Sequence, residues 1–164
     1  MKTLIGVISD THGLLRPEAV AALRGSAYIL HAGDIGGPDI LEALAAIAPV
    51  TAVRGNNDTD AWARHIPDTN VLHAGGVSLY VLHDAKSIAI DPAREGHRVV
   101  VAGHSHRPLV QQRDDVLFVN PGSAGPRRFS LPITVARIVV HDGDVHAEIV
   151  LLNVAQHARA RAKT

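Results

Sequence analysis

At 164 residues the chain suits one ordinary domain with a sizeable buried core. Hydrophobic residues make up 46% and aromatics only 3%, so Val, Ile, Leu and Ala must fill that core. Acidic and basic residues balance at 16 each, which removes the broad basic field of a nucleic-acid binder, and the lack of cysteine excludes disulfides and thiolate metal sites.

Residues 3–9 are almost continuously apolar, as expected of a strand covered on both faces. The stretch is broken by Gly6 and ends in Asp10 and His12 with no small-residue cleavage site, so it reads as a first strand and not an export signal. Residues 16–24 follow as a short helix with Pro17 at its start and Gly25 past its end. A second strand is expected over 27–31, a second helix over 38–48 and a third strand over 50–54, with Pro49 between the last two. The second half changes character. Residues 71–73 and 77–83 flank Gly75-Gly76 as a hairpin, and 98–102 form another apolar strand. Two further hairpins pair 109–112 with 116–120, and 133–140 with 145–152 across Asp142-Gly143. Residues 155–164 read as a frayed or short helical tail. No run approaches the ~20 apolar residues that span a bilayer. The expected architecture is one α/β domain over 1–164, with parallel βαβ units followed by antiparallel strands in two packed sheets with helices outside. A cytoplasmic location is expected.

The chemistry-bearing residues fall where these strands end. Asp10 and His12 close the first strand, and two residues apart on an extended segment point the same way. Asp144 and His146 share that spacing but follow a hairpin turn, where a solvated polar face is the reading. Asp34 and the run Asn56-Asn57-Asp58 each follow a glycine, which lets the backbone turn sharply; taken alone, each is equally a turn or capping residue. His83 ends another strand, where it can bind metal or only a backbone carbonyl. His104 and His106 follow the strand over 98–102. The other seven histidines read as surface or supporting groups, with His31 placed to orient a ligand. Carboxylates, imidazoles and an Asn oxygen without thiolate describe a hydrolytic two-metal centre.

The order D-x-H, GD, GN-x-D, H, GHSH resembles the calcineurin-like metallophosphoesterase superfamily, in particular its small bacterial and archaeal phosphodiesterase branch, over roughly residues 1–152. The resemblance implies a four-layer α/β/β/α sandwich of two mixed sheets. It implies one ion on Asp10, His12 and His106, a second on Asn56, His83 and His104, and Asp34 bridging. Asp34, Asn56, Asn57 and Asp58 join the catalytic set. Asn120, in the segment Asn120-Pro121-Gly122-Ser123, and Arg127 beyond it are assigned to substrate. Two divalent ions with two carboxylates leave a net positive pocket that suits a phosphate, and a shared hydroxide serves as nucleophile. Mn is favoured by the resemblance, while Fe, Zn, Co and Ni are compatible with the donors. The expected substrate is a small phosphoester or nucleotide, and the resemblance leaves a homodimer open.

Two positions depart from the family pattern. Many members carry a His after the ligand Asn that protonates the leaving group; here Asn57 stands there and cannot act as an acid. Substrates with low-pKa leaving groups, such as aryl diesters, are therefore expected. At His83-Asp84-Ala85 the family commonly has HGH, so Asp84 adds negative charge beside the metals. Competing readings are a phosphomonoesterase, a nuclease, and a non-catalytic scaffold like the superfamily's retromer protein, which has lost ligand histidines. All seven ligand positions are filled here, and no basic groove is evident.

Overall fold

The computed structural model describes residues 1–128 and 130–154; the tail read over 155–164 lies outside the described residues. The chain opens with β1 (Lys2–Ile8), α1 (Pro17–Leu23), β2 (Tyr28–His31), α2 (Pro38–Ala45) and β3 (Val50–Ala52). Then come β4 (Thr69–Ala74), β5 (Val77–Leu82), β6 (Val99–Val101), β7 (Leu109–Arg113), β8 (Val116–Asn120), β9 (Thr134–His141) and β10 (Asp144–Leu151). Both helices start on proline, whose fixed φ and missing N–H suit a first helical turn. They are shorter than the sequence implies. The second ends at Ala45 and not at residue 48, because Ile47 and Ala48 turn back onto the Leu44 carbonyl before Pro49.

Two five-stranded mixed sheets result, in orders β10-β9-β1-β2-β3 and β4-β5-β6-β8-β7. In each, three strands run parallel: β1, β2 and β3 in the first, β5, β6 and β8 in the second. The hairpins expected at Gly75-Gly76, Asp114-Asp115 and Asp142-Gly143 all form. Ile5, Val7, Leu30, Val53, Leu79, Val81, Val101 and Ile138 fill the space between the sheets. Burial of such aliphatic side chains, each contributing ~1.5–3 kcal/mol, sustains the core without aromatics. The outer face of the first sheet is covered by Ala19 and Leu23 of α1 and Ile40 and Leu44 of α2. The outer face of the second has a thinner cover. Ile88 and Ile90, after a single 3-10 turn at Ala85–Ser87, pack on Tyr80, Leu82, Val100 and Phe118. Among the described residues no helix is long and apolar enough to cross a membrane.

Candidate metal centre

All six parallel strands end at one edge, and every candidate ligand lies in a loop leaving that edge. This is where open α/β sheets place their sites. The loops are tied together by backbone. Asp10 N–H donates to the Gly33 carbonyl (3.0 Å), His12 N–H to Asp34 (2.9 Å) and Gly103 N–H to His83 (2.9 Å). Asp10 and His12 do not lie on extended chain, contrary to the expectation from their spacing. β1 stops at Ile8, and Asp10 and His12 have φ of 55° and 47°. Asp34, His104 and His106 share this left-handed conformation, at 57°, 70° and 63°. Asp and His tolerate it better than most residues, yet each instance costs on the order of 1 kcal/mol or more. Two glycines allow the close approach of backbone that this requires. A Cβ at Gly55 would collide with the Asp34 carboxylate, and one at Gly103 would collide with Ser9 and meet Asp10 Oδ2 at 2.6 Å.

Two groups of donors converge: Asp10, His12 and His106, and Asp34, His83 and His104, with donor atoms in each group within 4.8 Å of one another. Asp10 is fully buried. Its Oδ2 accepts from the Ser9 hydroxyl (2.7 Å) and the His104 N–H (3.1 Å). Its Oδ1 makes no hydrogen bond, although the Nε2 atoms of His106, His12 and His83 lie 3.3, 3.9 and 4.0 Å away. His12 Nε2 is likewise without a hydrogen bond. Atoms bound at ~2.0–2.2 Å to a common cation stand about 3–4 Å from each other. The unpartnered oxygen and the spacing therefore fit a divalent cation. Asp34 Oδ2 is 3.7 Å from His12 Nε2 of one group and 3.3 Å from His83 Nε2 of the other, the position required of a bridge.

The surrounding contacts orient these donors. His83 Nδ1 faces the Ala32 carbonyl at 2.7 Å, so the ring donates there and turns Nε2 toward the centre. His104 Nδ1 lies 3.3 Å from His83 Nε2, and its Nε2 lies 3.8 Å from the Asp84 carboxylate. Burial pushes the Asp34 carboxyl up, but His83, the Asn57 N–H and the His12 charge outweigh it and hold the group down to about 2. Asp10 is also lowered: burial opposes, and His106, Ser9 and the His83 charge prevail. Burial lowers His83, yet Asp34, the Ala32 carbonyl and the Asp10 charge raise it overall. In the absence of cations the site is thus an array of ionised carboxylates among imidazoles.

Asn56 is exposed and lines, with His83, His104 and Asp84, a cleft of about 360 Å³ at the second group. Four predicted residues take other positions. Asn57 donates from its backbone N–H (2.9 Å) and its side-chain amide (3.2 Å) to Asp34, so it orients that carboxylate. Both Asp58 oxygens accept backbone N–H groups, from Ile35, Gly36 and Gly55, so Asp58 clamps two ligand loops and has no oxygen free for the reaction. The Asn120 amide is spent on the Gly103 carbonyl, the Ser105 hydroxyl and the Gly122 N–H, which braces the His104–His106 loop. Arg127 is exposed and lines a separate cleft with Pro132, Ile133, Leu151 and Leu152, because the chain turns away after Gly125-Pro126.

The cation that does line the metal cleft is Arg54, held at 2.9 Å by Asp68. The sequence reading passed over it, although it directly precedes Gly55-Asn56. Ser9 was also missed; a hydroxyl next to a ligand Asp was the available signal. His31 is fully buried and supports from behind: Nε2 meets the Thr11 hydroxyl at 3.0 Å and Nδ1 accepts from Gly33 N–H at 3.1 Å. Burial drives its pKa down to about 4, against the opposing charges of Asp10 and Asp58.

Comparison with known proteins agrees with this geometry. The chain is 36% identical over 161 residues to a probable metallophosphoesterase of Methanothermobacter thermautotrophicus, covering 90% of this chain and 91% of the relative. It is 26% identical over 137 residues to a phosphodiesterase of Methanocaldococcus jannaschii, covering 72% and 82%. Its fold superposes on vacuolar protein sorting 29 of Cryptosporidium parvum with a TM-score of 0.72 at 19% identity, over 91% and 97% of the two chains, a likeness of fold alone. The family model of the calcineurin-like phosphoesterase superfamily domain matches residues 3–143, and with the paired Asp/His groups at the strand ends this chain belongs to that superfamily.

Proposed function

We propose that the protein hydrolyses phosphodiesters of small molecules, with two divalent cations, Mn favoured, held by the two donor groups. The observation that carries this reading is Asp34 Oδ2 facing both groups while Asp10 Oδ1 is unpartnered. When bound, such a pair of cations supplies a hydroxide near neutrality and neutralises charge building on the phosphoryl oxygens. The chain does the rest. Asn57 fixes the Asp34 carboxylate, Asp58 and Asn120 fix the loops, and Arg54, paired with Asp68, places its guanidinium on the wall of the cleft. Asn57 offers an amide and no acid, so leaving groups that depart without protonation, such as aryloxides, are favoured. The M. jannaschii phosphodiesterase supports the diester preference.

The test is Mn-dependent hydrolysis of a bis-aryl phosphodiester, with Asp34→Asn alongside. Turnover that requires metal and falls by about 10³-fold in the variant is expected, the several kcal/mol such a centre contributes. No turnover from metal-loaded wild-type protein would favour a binding role on the same fold.

A further inference from the structure

Beside the metal cleft lies a second, mainly apolar cleft of about 330 Å³, on the thinly covered outer face of the second sheet. Ile88, Pro92, Val100, Ala102, Leu109 and Phe118 line it. The two clefts meet at Asp84, whose carboxylate lies 3.8 Å from His104 Nε2. Asp84 lines both, and the apolar cleft takes in Gly103 and Ser105, on either side of His104 in the chain. It also takes in Lys86, while the metal cleft takes in Ser87. A phosphorus held at the His104 end of the centre would border the polar cleft, with Arg54, Asp68 and Thr69, and, past Asp84 and the Gly103–Ser105 loop, the apolar one. A phosphomonoester has one substituent to place; a diester has two.

We infer that the apolar cleft is the subsite for an aryl or similarly flat apolar substituent of the substrate, which makes the natural substrate an unsymmetrical diester with one apolar and one polar arm. The inference rests on the phosphodiesterase reading of the same site and deepens it. Its walls are suited to a ring: Leu109 is 43% exposed, and the Arg113 guanidinium lies 4.6 Å over the Phe118 ring, so the wall is already ordered. Lys86 and Arg113 outnumber Asp84 among the charged residues of the cleft, so its mouth does not repel an anionic ester whose neutral arm enters it. Covering exposed apolar surface with a ring is worth about a factor of ten in affinity, roughly 1.4 kcal/mol.

The test uses two diesters with poor leaving groups and the same charge, dibenzyl phosphate and dimethyl phosphate, titrated into zinc-loaded protein with methyl resonances followed by NMR. Dibenzyl phosphate is expected to shift Ile88, Val100 and Leu109 and to bind about tenfold more tightly than dimethyl phosphate. Leu109→Glu should bring that ratio toward one, with metal content checking the fold of the variant. Silent cleft methyls, or equal affinities in the wild type, overturn the inference. Shifts at those methyls that follow protein concentration without ligand assign the cleft to a second copy of the chain and also overturn it. Turnover of the bis-aryl diester, measured in parallel, separates the two proposals. Turnover with silent methyls leaves the hydrolase and removes the subsite; shifts without turnover leave only an apolar binding cleft, which removes the hydrolase and with it the substrate subsite.

Discussion

The chain contains the sequence Asp-x-His twice in comparable positions, beside a strand of the same sheet, and only one copy is built as a site. Asp10 and His12 leave β1 in left-handed conformation, with Asp10 buried and three imidazoles around one oxygen. Asp144 and His146 lie on β10, paired across the ladder with His141 and Val139, and both side chains are exposed. Spacing is identical. What differs is the backbone and what faces it: the first copy sits at the end of a parallel strand where five other such strands also end, the second on an edge strand with water outside. A donor pair binds metal tightly only where other donors are already held against it, because the cost of gathering charges is then met by folding and not by binding.

The sharpest break of this comparison is Asp10→Asn against Asp144→Asn. The first should lose metal stoichiometry and lower diester turnover by about 10³-fold, the second should change neither, as read by metal analysis and steady-state kinetics. Next in size is Asp58→Asn, which removes a buried charge accepting from three loop N–H groups. About 3 kcal/mol of stability should be lost in urea denaturation, whereas neutralising exposed Asp144 should cost under about 0.5 kcal/mol.

A pH titration gives a third contrast. Folding lowers His31 from its ordinary 6.5 to about 4, so between those values the unfolded chain binds more protons. The contribution of His31 to the stability of the metal-free protein is full above pH 6.5 and is lost as pH drops toward 4, by on the order of 3 kcal/mol, while His83, raised by folding, acts in the opposite sense. Asp34 contributes in the same direction only lower, between its ordinary 3.8 and about 2. His31→Gln should flatten the urea midpoint between pH 7 and 5, while His146→Gln should leave its slope unchanged. The smallest effect is expected at Gly143→Ala in the turn before the second copy. With φ of +83° and no atom within 4 Å of an added Cβ, the cost is backbone strain alone, about 1 kcal/mol with metal binding intact.

Most of the site was legible because its ligands are few in type and each terminates a hydrophobic run. The seven candidate ligands lie at one edge, with six of them in the two donor groups and Asn56 on the adjoining cleft. The assignments of Asp58, Asn120 and Arg127 were less legible for a shared reason. Asp58 and Asn120 have polar side chains that satisfy backbone groups of neighbouring loops, and Arg127 follows a turn whose direction no local signal reveals. Arg54 was missed because a lone Arg beside a motif looks like surface charge until Asp68 and the cleft are seen around it.

By itself the amino-acid sequence determined the strand and helix types, the hairpins and the donor set, since hydrophobic period, Gly and Pro positions and ligand chemistry are local properties. Only the tertiary structure decided which oxygen of Asp10 is left unpaired, that Asp58 and Asn120 are turned onto backbone groups of neighbouring loops, and that an apolar cleft adjoins the metal cleft. Each of these depends on groups far apart in the chain, such as Asp10 with His104 and His106, or Asp84 with Phe118. Their proximity is set by how two sheets pack, and that is a property of the whole core.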